Sequence, residues 1–410
     1  MSILTEIKNN KLSFLKTVLG SLMYLVIGLS MAIPGPTLLD LQIAVNCSLE
    51  QISYLLPSRA CGYVIGSFAG GFIPKNTDKQ PFIVICITAV AILLGLLPWN
   101  TNLWVLIANG ALIGINVFIL HLWGKKSPPF IQFAYFFYGL GAFIAPLLAE
   151  PFLLPVKFDD KNSTKVHVYT REDLKIHFPY AMVSMYSTTV VIIFSIIYCL
   201  NRETKAHSSL AEKKSDDCKK SKKTKIFAVL VAAFFIKIYF GIAISFGSFL
   251  AAFAVKCKLN LLKSTAAMLT SAFWGTFTLF RIPVTLAMNF IGIRNLIIFE
   301  LFLMFCASIP LQLFGESNVT ILWIAVVIMG CSLSSVFALV LGYLQQHIKL
   351  TNAVLSLFLI SACVGEFLFP TILAKFIDQK PNVFTIICSV CTVSSSFVFV
   401  LLELVCRKLR

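Results

Sequence analysis

Charge is what this sequence has least of. Only 13% of its 410 residues are Asp, Glu, Lys or Arg, where an ordinary soluble domain carries roughly 25%. Acids are the scarcer kind, 18 against 34 Lys and Arg, which leaves a formal balance of +16. So few charges cannot cover a globular surface in water, which argues against a soluble enzyme. Disorder is excluded by the opposite deficit: its mark is low hydrophobicity, and 58% of this chain is hydrophobic. A nucleic-acid binder shares the basic balance but is not this apolar, so no nucleic-acid partner is expected. Histidine occurs five times, scattered at His121, His167, His177, His207 and His347. No H-E-x-x-H, Walker loop or G-x-S-x-G signature is present, so neither an enzyme nor a metal centre or cofactor site is expected.

What the chain has in excess is apolar sequence, with a mean hydropathy of +0.88. A membrane-crossing helix takes roughly 20 apolar residues. Twelve runs read as spans: 12–33, 52–73, 82–98, 102–123, 130–153, 179–200, 226–254, 264–287, 295–314, 319–342, 351–376 and 382–404. The first is too long for a cleaved signal peptide, whose apolar core runs about 7–15 residues. The expectation is an all-α membrane protein, monomeric, with the lipid bilayer as its main partner. Most of the 12 cysteines, such as Cys86, Cys306 and Cys388, lie inside these runs and read as small hydrophobes. Cys47 and Cys257 fall in loops on one side.

Lys and Arg set the orientation. With the N-terminus in the cytosol, 21 of the 34 fall in inner segments, 10 in outer ones and three (Arg59, Lys237, Arg281) inside spans. The positive-inside rule then puts both termini in the cytoplasm. Three N-x-[ST] sequons, at Asn46, Asn162 and Asn318, lie in loops this orientation places outside. Asn162, in the longest of them, and Asn46 are the expected glycosylation sites, in a plasma-membrane protein; Asn318 stands close to the membrane. The basic segment 201–225 has no apolar periodicity and reads as a cytoplasmic linker. It separates an N-terminal bundle, 1–200, from a C-terminal bundle, 226–410, with six spans in each.

The two halves carry traces of one repeat. Gly141, Phe143 and Pro146 in the fifth span match Gly365, Phe367 and Pro370 in the eleventh at a common offset of 224 residues. Arg59 and Arg281 match at 222, and Trp104 and Trp323 at 219. These offsets imply two six-helix bundles facing across a pseudo-two-fold axis normal to the membrane. Further motifs stand in order along the chain: Gly35-Pro-Thr-Leu-Leu-Asp40, Arg59-Ala-Cys-Gly62-Tyr63, Asn116 ahead of Leu122-Trp123-Gly124, Pro129-Phe-Ile-Gln132, Gly139-Leu-Gly141, Phe273-Trp274-Gly275, and Gly365-Glu366. The organisation resembles the major facilitator superfamily, and the series is similar to its sodium-dependent glucose transporter 1 group, also called major facilitator domain-containing protein 4. That resemblance implies a hexose such as glucose as substrate and sodium as coupling ion. This chain departs from the group at Leu112, where the group carries an acid, and at Tyr135, where it carries His. The basic loop usual after the second span is reduced to Gly70-Gly71-Phe-Ile-Pro-Lys75.

An ionisable residue within a span costs several kcal/mol by insertion scales, about 2.5–3.5 for Arg, Lys or Asp, and is a functional candidate by default. Glu366 is read as a solute acceptor, a cation site or the structural partner of a cation. Arg59 either pairs with Asp40 or faces the cavity. Arg281 and Glu300 are read as an ion pair at an inner gate. A sugar needs amides or carboxylates for its hydroxyls and an aromatic face for its ring; Asn116, Gln132, Trp274 and Glu366 supply them. The expected function is a secondary transporter of a small polar solute, most of all a hexose, working by alternating access. Transport of another small organic solute, or solute sensing without transport, stand as alternatives.

Overall fold

The computed structural model describes residues 11–72, 79–123, 128–155, 169–200, 222–348 and 350–409. Lipid offers a spanning backbone no water, so each apolar run must satisfy its own peptide groups as helix. Span one is α1 (Lys11–Ala32) with α2 (Pro34–Val45). Span two is α3 (Leu49–Ser53) with α4 (Leu55–Phe72). Then follow α5 (Lys79–Leu96), α6 (Leu103–Trp123), α7 (Pro128–Ala149) and α8 (His177–Leu200). The second half begins with α9 (Lys222–Lys256). Span eight is α10 (Lys263–Leu279) with α11 (Arg281–Ala287), and span nine is α12 (Ile293–Phe314). Span ten is α13 (Val319–Leu333) with α14 (Val336–Gln345); α15 (Asn352–Phe376) and α16 (Val383–Arg407) complete the set. Eight of the described spans are long and apolar enough to cross a membrane alone, and the bent pair α1–α2 makes nine. The other three expected spans correspond to α4, α6 and α10–α11.

The first span differs from its sequence reading. It does not stop near residue 33 but bends by 47° and runs on as α2 to Val45. Pro34 explains the bend. Proline fits the first turn of a new helix but has no N–H to offer the carbonyl four residues back, here that of Ser30.

The packing repeats six spans on. α1 lies on α7, α4 on α6, and α5 on both α6 and α8; correspondingly α9 lies on α15, α10 on α13, and α12 on both α13 and α16. The matched glycines serve one purpose in the two halves. Gly141 brings α7 onto the α1 backbone at Leu25 and Leu29, and Gly365 brings α15 onto the α9 backbone at Lys237 and Gly241; a Cβ at either position would collide. Contacts between the halves follow the same symmetry, α7 against α10 and α4 against α15, with α2 meeting α9. Large apolar side chains such as Ile85, Phe302, Val393 and Phe397 face outward, a surface suited to acyl chains. α9 and the α13–α14 pair are the most enclosed spans. The bundle has a near end, where α1 begins and α16 ends. Its far end holds the ends of α2, α7, α9 and α15 and the starts of α3 and α10.

Candidate functional site

The first span's break creates a need that Arg59 meets. Buried on α4, its guanidinium donates to Met31 O at 2.8 Å and to Ser30 O at 3.5 Å, the second being the carbonyl deprived by Pro34. Its Nε–H is buried with no partner among the described residues. The Arg59–Asp40 pairing is not formed: Asp40 bonds Lys263 and accepts from Leu154 N instead.

One turn beyond Arg59, Tyr63 Oη donates to Met31 Sδ. Facing these residues from the other half is Glu366 of α15, only 9% exposed. It forms no hydrogen bond or ion pair among the described residues, yet lies within electrostatic reach of Arg59, Tyr63 and Tyr138. A lone acid so buried wants a donor. Tyr138 of α7 meets Trp274 of α10 edge-on, centroids 6.4 Å apart at 82°. Tyr135 stands 6.5 Å from Tyr138, and Tyr24 of α1 6.0 Å from Tyr135. Trp274 is 3% exposed and its indole N–H is buried without a partner among the described residues. Gly247 of α9 makes room for that ring; a Cβ there would stand 2.5 Å from Cζ2.

Arg281, at the start of α11, connects this cluster to the broken tenth span. Its guanidinium lies over Tyr135 at 5.4 Å and Phe277 at 4.7 Å, while Nε donates to Ser334 O at 3.1 Å. Glu300, fully buried on α12, accepts from Ser335 N at 3.3 Å through Oε1. The direct Arg281–Glu300 ion pair read from the sequence is therefore corrected: a peptide stands between the charges. The Ser334 carbonyl and the Ser335 N–H belong to one trans peptide unit and point opposite ways. The cation meets its negative end and the anion its positive end. Ser334 Oγ donates to Phe277 O at 2.7 Å and Tyr239 Oη to Leu333 O at 2.6 Å. The α13–α14 break is thus held from α9, α10, α11 and α12. The Arg59–Arg281 match also needs restating, because Arg59 caps the break in span one and Arg281 that in span ten. They are not symmetry equivalents.

The structure does not bring Asn116 to the cluster by any described contact; its amide donates to Leu112 O of its own helix at 2.9 Å. The side chain of Gln132 lies outside the described residues, as does Asn162. Asn46 is exposed at the far end, in the left-handed conformation that closes α2 (φ 50°). Cys47 and Cys257 are free thiols, as are Cys388 and Cys391, a Cys-x-x-Cys spacing along α16. Sequence reasoning missed the tyrosines. Tyr63 follows Arg59 by four residues, and Tyr135 and Tyr138 are spaced i, i+3, which could have signalled polar tips on a shared helix face.

Comparison with known proteins fits this architecture. The description of the Major Facilitator Superfamily matches residues 20–370. The chain belongs to that superfamily. It is 27% identical over 383 residues to the sodium-dependent glucose transporter 1 of Homo sapiens, an alignment covering 88% of this chain and 73% of that one. It is 24% identical over 459 residues to the major facilitator superfamily domain-containing protein 4A of Xenopus tropicalis, covering 93% and 90%. Among solved folds, the xylose transporter XylE from E. coli superimposes with a TM-score of 0.68 at 9% identity, over 93% of this chain and 97% of that one. A bacterial homolog of the lysosomal transporter Spinster gives 0.67 at 13% identity, over 96% and 97%. In this major facilitator transporter Arg59 Nε and Trp274 Nε1, two of the buried polar groups without a partner among the described residues, lie on helices that pack across the seam between the halves.

Proposed function

We propose that the protein is a hexose transporter that works by alternating access, with Arg59, Trp274 and Glu366 as its principal solute-binding residues. One observation carries the reading. Two buried donors without partners among the described residues, Arg59 Nε and Trp274 Nε1, and a carboxylate without a hydrogen-bond partner among them, Glu366, are grouped around Tyr138: Arg59 and Glu366 lie within its electrostatic reach and Trp274 meets its ring edge-on. A hexose satisfies such a set: hydroxyls both donate and accept, and the sugar's C–H face packs on aromatic edges. Asn116 and Gln132 are further solute-binding candidates from the sequence, although the Asn116 amide bonds Leu112 O of its own helix in this structure. Arg281 and Glu300, joined through the Ser334–Ser335 peptide, form the near-side gate. The names of the relatives support a sugar cargo and sodium coupling.

The membrane is taken to be the plasma membrane, with both termini cytoplasmic and the protein a monomer. Asn46 and Asn162 then face outside as glycan acceptors. Uptake of labelled hexose into proteoliposomes, with and without an inward sodium gradient, tests the proposal. Sodium-stimulated accumulation is the expected result. Uptake that only equilibrates would leave the hexose and remove the sodium, and no uptake in either condition would remove both. An organic anion is a second reading, favoured by the Arg59 Nε–H that has no partner among the described residues; competition of the labelled hexose by anions rather than by hexoses would select it.

A further inference from the structure

At the far end, a second set of charges crosses the seam that the solute site does not use. Asp40 of α2 is fully buried, and Lys263, the first residue of α10, is 9% exposed. The two form an ion pair between the halves. The other Asp40 oxygen accepts from Leu154 N at 3.0 Å. The next residue, Ser264, donates to Glu150 from the opposite half. Beside this pair, α2 and α9 touch through backbone: a Cβ on Gly35 would meet Gly247 O and Ser248 O at 3.2 Å. A lysine at a helix N-terminus opposes the helix dipole, so among the described residues it is Asp40 that makes burial of the Lys263 ammonium tolerable.

We propose that Asp40–Lys263, seconded by Glu150–Ser264, is the latch that holds the far end of the transporter shut. Alternating access requires that end to open, which pulls the pair apart and returns both charges to water. Removing one partner strands the other as a buried, uncompensated charge, and the closed form loses. Replacing both by neutral side chains strands nothing. The latch is independent of which solute is carried, and its test reads closure rather than uptake.

Ser248 is 5% exposed at the contact with Gly35. A Ser248→Cys reporter, labelled from the far side with an impermeant maleimide and read at position 248 by peptide mass spectrometry, measures opening. The reporter alone should label slowly. Adding Asp40→Asn or Lys263→Met should speed labelling at least about tenfold, equivalent to about 1.4 kcal/mol. Combining the two should return it toward the parent rate, and Lys263→Arg should leave it unchanged. Single variants that label like the parent, or a double variant as fast as the singles, overturn the latch. Where a charge variant fails to assemble, Ser264→Ala decides: about threefold faster labelling is the loss expected for one hydrogen bond, and an unchanged rate overturns the proposal.

Discussion

Among individual residues, partners separate roles. Glu366 has no hydrogen bond or ion pair among the described residues to lose, so Glu366→Gln should leave the melting temperature in detergent at or above that of the parent. It should raise the KM for hexose at least about tenfold, within the range for a hydrogen bond to a charged group. Arg59→Met should do the reverse first. It strips the donor from the Met31 and Ser30 carbonyls, and an unsatisfied buried group costs about 1–3 kcal/mol, seen as a lower melting temperature even without solute. Trp274→Phe keeps an aromatic ring against Tyr138 and loses only the indole N–H; a higher KM with unchanged kcat is expected from uptake kinetics. Glu366, Arg59, Arg281 and Trp274 were legible because polar or large amphipathic groups are rare inside spans. The tyrosines were not, because 13% of the chain is aromatic and most rings only pack. Lys263 looked like an ordinary flanking lysine, since its partner lies 223 residues away and no local pattern predicts such a pair.

The elements were mostly legible as well. All twelve apolar runs became helices, because a bilayer allows little else. The breaks were harder to read. The first apolar run stops at residue 33 in the sequence, whereas in the structure Pro34 opens a second helix at 47° to the first, and Arg59 from the next span stabilises that geometry. The Ser334–Ser335 break has no proline or glycine at it and gave no sequence signal; it rests on side chains from four other elements. Pro34→Ala returns an N–H to the Ser30 carbonyl and removes the reason for the bend. A lower melting temperature is expected together with slower hexose uptake, because a straighter first span no longer offers Met31 to the buried Arg59 guanidinium and an unsatisfied buried charged group is costly. Unchanged uptake would show that the bend is incidental to transport.

For the whole molecule, the repeat was the most informative sequence feature, and its reliability varied with what each match reflected. Gly141 and Gly365 are true counterparts because both mediate a close helix approach, α7 on α1 and α15 on α9. Arg59 and Arg281 share only an offset. The symmetry matters because it sets two bundles face to face, with polar groups such as Arg59 Nε left unpaired among the described residues and a buried ion pair crossing the seam at one end. A rigid single-core protein would have no use for either. The measurement that bears most directly on this picture is counterflow in proteoliposomes preloaded with unlabelled hexose, since exchange needs a solute site and alternating access but no ion gradient. Transient accumulation of labelled hexose by the parent protein, lost in Glu366→Gln at the same solute concentration, is the predicted result. No counterflow by the parent, or equal counterflow by Glu366→Gln at concentrations below the parent's KM, would contradict it.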